Sequence, residues 1–284
     1  MARYVLICDV EKCTGCYACF LACKDEHVGN IHGSYAAPAS EGQKWIDVKE
    51  IEYGVGDKVK VDYLPVMCQH CNDPACAKGA PDGAVHTRQD GIVLIDPQKA
   101  KGAKMIVNNC PYGAVYWNEE LELPQKCTLC AHMLDRGDGT TRCVECCPTG
   151  ALVLGDIDDP ESDVSVLGAR LGECLESYKP MYRTQPRVKY HALPKPFIAG
   201  ELSYSDRMGE PAPGIHIVLT SNNTGKSREA VTDALGDFIF KQLQSGEAYI
   251  LRINAPGYLQ VEKRVRLNTA QNLGTIILKK DIAN

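Results

Sequence analysis

Four cysteines within eleven residues, Cys13, Cys16, Cys19 and Cys23, stand in the spacing C-x2-C-x2-C-x3-C. Thiols this close in one tight turn do not meet the separation that disulfides need to bridge loops. Structural zinc draws its four thiolates from two separated C-x2-C knuckles. The spacing is that of a 4Fe-4S centre, in which three thiolates of the run hold one iron-sulfur cube and the fourth reaches across to another. The chemistry implied is electron transfer, and the remaining thiols decide how many centres the chain holds.

A second block, Cys68, Cys71 and Cys76, reads C-x2-C-x4-C. In a two-cluster ferredoxin unit a fourth cysteine follows shortly, before a proline. Here that place reads Lys78-Gly79-Ala80-Pro81-Asp82-Gly83, with Ala80 where the cysteine would stand. The third block keeps its frame from Ile95 to Ala103 and its closing Cys110-Pro111-Tyr112-Gly113, but Ala100, Ala103 and Ile106 occupy its first three ligand positions. By the exchange rule Cys110 belongs with Cys68, Cys71 and Cys76, and all four losses fall on one neighbouring cluster. Small and apolar side chains would refill such a site without leaving a stray reactive thiol. The fourth block is Cys127, Cys130, Cys143 and Cys147-Pro148. Its first three cysteines are expected to join Cys23, and Cys147 to return to Cys13, Cys16 and Cys19. The sum is twelve ligands for three 4Fe-4S clusters.

Three cysteines remain. Cys146 adjoins Cys147 but falls outside the C-x3-C-P frame; Cys8 lies in an apolar run and reads as a small buried thiol, and Cys174 reads as a structural residue on a helix. His70 and His132 lie near ligands, as hydrogen-bonding or packing neighbours rather than iron ligands. Lys12, Lys24 and Lys126 adjoin ligands too, either offsetting cluster charge or simply solvated.

The elements that must position these thiols begin with the run Tyr4-Val5-Leu6-Ile7-Cys8, a first strand feeding the cluster loop. Residues 1–159 are expected to form the ferredoxin-like domain. It carries a hairpin insertion at about 40–66, with strands over residues 45–51 and 58–63 that alternate apolar and charged residues. Residues 160–196 read as a strap and linker, with a helix from Val164 to Ser177 followed by Pro180, Pro186, Pro194 and Pro196. From Phe197 to the end cysteine vanishes and β-formers take over, in runs at 215–218, 238–240, 248–253, 261–267 and 273–278. Turns such as Ala234-Leu235-Gly236-Asp237 separate them, so residues 197–284 predict a seven-strand antiparallel β-sandwich. The fold class is thus α+β. Its second domain is similar to the prealbumin-like or carboxypeptidase-regulatory-like β domains, with a supporting or interface role.

Fifteen cysteines in four blocks are the wrong pattern for a secreted disulfide scaffold. A formal net charge of −5 gives no basic field for nucleic acid. No stretch reaches the length of a membrane span, and no charged leader with a cleavage site is present. The expected location is cytoplasmic, export with a signal-bearing partner being the other route.

The nesting of blocks II and III between the halves of an outer unit resembles the iron-sulfur β subunits of the dimethyl sulfoxide reductase family of molybdenum or tungsten enzymes. Asp90-Gly91-Ile92-Val93-Leu94-Ile95-Asp96-Pro97, Tyr116-Trp117-Asn118-Glu119-Glu120 and Gln125-Lys126-Cys127-Thr128-Leu129-Cys130-Ala131-His132 are most similar to the small subunits of pyrogallol-phloroglucinol transhydroxylases. These also carry three clusters and a C-terminal β domain. The resemblance implies a large catalytic partner, in a heterodimer or multiples of it. That partner would hold a bis-molybdopterin guanine dinucleotide with molybdenum or tungsten and act on hydroxylated aromatics by transhydroxylation or reductive dehydroxylation. No catalytic residue is expected on this chain, which has no pterin pattern, nucleotide-binding glycine loop or nucleophile constellation. The competing readings are a freestanding polyferredoxin and the β subunit of an oxyanion reductase.

Overall fold

The computed structural model describes residues 2–55, 58–207 and 209–282. The chain divides into two compact units, Met1–Glu50 with Asp62–Leu193 and Ile51–Val61 with Pro194–Asn284.

The first unit is organised by the strand Tyr4–Asp9, which lies inside a four-stranded sheet in the order Leu152–Asp156, Tyr4–Asp9, Val188–His191, Leu175–Glu176. It pairs antiparallel with Leu152–Asp156 and parallel with Val188–His191. Its nearly continuous apolar run fits a strand covered on both faces. Alternation assigns each face a task. Val5 and Ile7 pack on Val164 and Leu167 of the helix Asp163–Leu171, while Leu6 and Cys8 lie toward the cysteine loops. The strand therefore joins the sheet to the chemistry.

The helix expected from Val164 to Ser177 is shorter. Ser162 caps it, accepting a hydrogen bond from the Ser165 amide, and it stops at Leu171, where Gly172 turns to a positive φ of 48°. A 3-10 turn, Gly172–Cys174, and the edge strand Leu175–Glu176 follow, so Cys174 is exposed on a turn and not packed on a helix. The stretch 160–196, expected as strap and linker, is largely built into this unit, because Val188–His191 supplies the parallel neighbour of the first strand. Two small hairpins, Val85–Thr87 with Val93–Ile95 and Tyr116–Asn118 with Leu123–Gln125, frame the inner blocks. The insertion forms the strands Ile46–Val55 and Lys58–Met67, both longer than the alternating runs that announced them. Residues 56–57 of this expected hairpin lie outside the described residues.

In the second unit, seven strands among the described residues form two sheets. One has the order Asp237–Phe240, Ile198–Tyr204, Gln271–Leu278, and the other Ser227–Val231, His216–Ser221, Glu247–Ile253, Val261–Leu267. Ile198, Leu202, Phe238 and Leu278 of the first sheet share one core with Ile217, Leu251 and Leu267 of the second, which makes a sandwich. The expectation of a wholly antiparallel sandwich is corrected at one place. Ile198–Tyr204 pairs in parallel with Gln271–Leu278. These are the first and last strands of the unit, and the long path between them permits a parallel neighbour that no short hairpin could give. Ser227–Val231 gave no sequence signal because it is an exposed edge of mostly charged and small residues.

Candidate metal centres

All fifteen cysteines are free of disulfides, and thiols of separate blocks come within one another's fields. Cys71 feels the charges of Cys68 and Cys110, and Cys76 those of Cys68, Cys110 and Cys71. Cys110 thus joins thiols more than thirty positions upstream. Cys23 is surrounded by Cys127, Cys143 and Cys130, and these four line one cavity with Leu6, Ile46 and Met67. Cys13 faces Cys147 and Cys16, and Cys19 lies in the fields of Cys143, Cys146 and, more weakly, Cys13. Burial first, and mutual repulsion second, push Cys76, Cys19 and Cys127 up to about 12 and Cys71 to about 11. Without metal these four thiols stay protonated near neutrality. A metal turns the cost into affinity, because coordination strips the proton outright.

The backbone is shaped for anionic sulfur. Gly15 (φ 68°), Tyr17 (φ 59°), His70 (φ 42°), Leu129 (φ 52°) and Cys130 (φ 45°) all take left-handed conformations within or beside the thiol loops. Such residues curl successive N–H groups into an anion-binding concavity. Gly15 is required for space as well, since a Cβ there would meet the Tyr63 ring at 2.4 Å. The Leu129 amide donates to Cys127 Sγ at 3.3 Å. At Cys147 burial pushes the thiol up, but the amides of Leu152, Ala151 and Thr149 and the Thr149 hydroxyl outweigh it, so its pKa is lowered. The neighbouring Cys146 instead turns its thiol to the Cys143 carbonyl, 3.6 Å away.

Buried donors without partners gather at the same loops. His70 is buried, and its Nδ1 accepts from the Val93 amide at 3.1 Å, which leaves the proton on Nε2 with no acceptor. Thr128 Oγ1, between Cys127 and Cys130, is likewise unpartnered. Buried donors left unpaired are costly, and cluster sulfur is the acceptor their position calls for. The residues therefore fit iron-sulfur cubes.

The positions lacking cysteine also converge. Ala80, Ala100, Ala103 and Ile106 pack in a single apolar cluster with Ala84, Ile95 and Val115, flanked by Cys76 and Cys110. Ala100 and Ile106 are wholly buried. Where the ferredoxin frame would place four more thiols, hydrocarbon side chains pack together.

Sequence reasoning missed two histidines. His27 stands one helical turn after Cys23 on the helix Ala18–His27, with its Nε2 3.8 Å from Cys130 Sγ, and it packs edge-on against His32 and His132. Burial, with those two neighbours, lowers its pKa to about 3. Its i+4 position after a ligand was the available signal. Glu26 on the same helix accepts from His132 Nε2 at 2.8 Å and pairs with Arg142 Nε at 3.3 Å. This tie holds the first cysteine block to the fourth, the two that must exchange ligands. Of the three lysines beside ligands, Lys12 is exposed near Asp9, Lys24 donates to the Glu41 carbonyl, and Lys126 is buried.

Comparison with known proteins agrees with this geometry. A 4Fe-4S dicluster domain matches residues 59–157, and a carboxypeptidase regulatory-like domain matches residues 199–278. The pyrogallol hydroxytransferase small subunit of Pelobacter acidigallici is 37% identical over 98% of this chain and 100% of its own length. A tetrathionate reductase subunit from Salmonella typhimurium is 31% identical over 69% of this chain and 75% of its own. The arsenate respiratory reductase iron-sulfur subunit of a Shewanella species is 31% identical over 66% and 95%.

Proposed function

This chain belongs to the iron-sulfur subunits of the dimethyl sulfoxide reductase family of molybdenum enzymes, and from that premise we propose that it is a three-centre electron relay for a molybdopterin catalytic subunit acting on hydroxylated aromatics. The observation that carries the reading is a set of free thiols in ferredoxin-spaced blocks beside Ala80, Ala100, Ala103 and Ile106, which pack together in one apolar cluster at the positions of a further set. Cys13, Cys16, Cys19 and Cys147 hold one centre; Cys68, Cys71, Cys76 and Cys110 the second; Cys23, Cys127, Cys130 and Cys143 the third. Each cube, when bound, takes up and gives back one electron. The protein's part is to hold the cubes in adjoining loops, aim amides at their sulfur and exclude water from the Cys23 group. No described helix is long and apolar enough to cross a membrane.

Relatives named for tetrathionate and arsenate match about two thirds of the chain, whereas the pyrogallol enzyme's small subunit matches nearly all of it, including the β-sandwich. That difference favours the aromatic substrate class. The partner would carry the pterin and its molybdenum or tungsten, and all the bond-making. The test is to purify the native complex anaerobically, assay its metals and pterin, and supply pyrogallol and related phenols with and without a reduced dye. Conversion of the phenols supports the assignment. Turnover of an oxyanion alone, or purification as a free carrier without pterin, contradicts it.

A further inference from the structure

Lys126 lies between the strand Leu123–Gln125 and the ligand position Cys127, and only 3% of it is exposed. Its ammonium donates to the Val93 carbonyl and to the Cys127 carbonyl at 3.1 Å. No carboxylate pairs with it among the described residues. A buried charge answered only by carbonyl dipoles is unfavourable, and such groups persist where an opposite charge compensates them. The compensating groups here are thiols. The field of Lys126 acts on Cys71, Cys76 and Cys110 of one group and on Cys127 of the next. Cys127 packs against the same cluster as Cys68, Cys71 and Cys110, and Cys68 is the largest charge acting on it, so the two groups adjoin beside this lysine. Lys126 is absent from the principal influences on Cys13, Cys19 and Cys147.

We infer that the Lys126 ammonium is a shared counter-charge for the Cys68 and Cys127 centres, raising the reduction potential of both and leaving the Cys13 centre unaffected. The inference rests on the three-centre reading. A fixed positive charge stabilises the reduced, more negative state of a nearby cluster over the oxidised one. Lys12 and Lys24 have no such part, the first being exposed and the second tied to a surface loop.

The test uses the native complex with Lys126→Gln, which keeps N–H donors near both carbonyls and removes the charge, and Lys126→Arg, which keeps the charge. Iron is counted in each, and the centres are titrated potentiometrically by electron paramagnetic resonance. The expected result is unchanged iron in both variants. In Lys126→Gln two centres shift to lower potential and the third stays in place; in Lys126→Arg all three stay near wild type. Loss of the Cys68 and Cys127 centres in Lys126→Gln alone also assigns the role to charge. Unchanged potentials in Lys126→Gln, equal shifts at all three centres, or loss of iron in both variants overturns the inference. An iron count in the wild-type complex that departs from three cubes overturns the underlying reading instead.

Discussion

Ligand exchange between distant blocks is decided residue by residue. Cys110→Ser is expected to damage the centre held by Cys68, Cys71 and Cys76, and electron paramagnetic resonance should show its signal altered while the other two persist. Damage confined to the Cys13 or Cys127 centre would break the pairing. At the adjacent pair, Cys147→Ser should disturb the Cys13 centre, because three amides converge on that sulfur. Cys146→Ser, whose thiol only donates to a carbonyl, should leave the iron content unchanged. The spacing of the cysteines predicts these groups because a cube imposes fixed short intervals on its ligands. The histidines were less legible. His70 and His132 drew notice by lying beside ligands, whereas His27 reaches Cys130 only from the end of the helix Ala18–His27, and His32, in the loop beyond it, stacks on His132. The same reasoning explains Lys126, which in sequence is no different from Lys12 or Lys24 and is set apart by burial alone.

Elements hold these residues through two kinds of contact. Where a centre is missing, packing replaces metal, so Ile106→Ala, at a fully buried position, should cost about 2–4 kcal/mol, read as a lowered unfolding temperature of the anaerobic protein. A change below about 0.5 kcal/mol would mean that the filled site has little structural weight. At the surface, Arg88 grips Asp135 with two hydrogen bonds of 2.8 and 2.6 Å, and the Tyr35 hydroxyl adds a third at 2.7 Å. Arg88 chiefly holds the Asp135 carboxyl down at about 2. A depressed carboxylate contributes stability that is full above its ordinary value of about 3.9 and is lost as pH falls through about 2. Solvent screening keeps that contribution to about 1 kcal/mol or less. Arg88→Met should move the Asp135 titration, followed by nuclear magnetic resonance, up toward the ordinary value; an unmoved titration would show the contact to be absent in solution. Strand runs such as Val261–Leu267 were readable from alternation, but the helix end at Gly172 was not, since the apolar spacing continues past the glycine that stops it. The parallel pairing of Ile198–Tyr204 with Gln271–Leu278 was also hidden, because strand sequences carry no mark of their neighbour's direction.

The whole molecule keeps its redox chemistry in one unit and a cysteine-free β-sandwich in the other. Chelating the iron should therefore loosen the first unit, whose thiol groups lose what holds them, while the core of Ile217, Leu251 and Leu267 survives. Hydrogen exchange after iron removal should show fast exchange across residues 13–147 and retained protection in the strands of residues 198–278. Uniform loss across both would mean that the sandwich depends on the clusters. The stretch from Asp233 to Tyr258 already resembled the prealbumin-like or carboxypeptidase-regulatory-like domains, and the match to a carboxypeptidase regulatory-like domain agrees with it. The most direct measurement of the central claim is the iron and acid-labile sulfide content of the chain, purified anaerobically with its partner and corrected for any iron the partner holds. Three cubes predict about twelve of each per chain. A value near sixteen would mean that the site of Ala80, Ala100, Ala103 and Ile106 still holds a cluster, and zinc in place of iron would contradict the relay altogether.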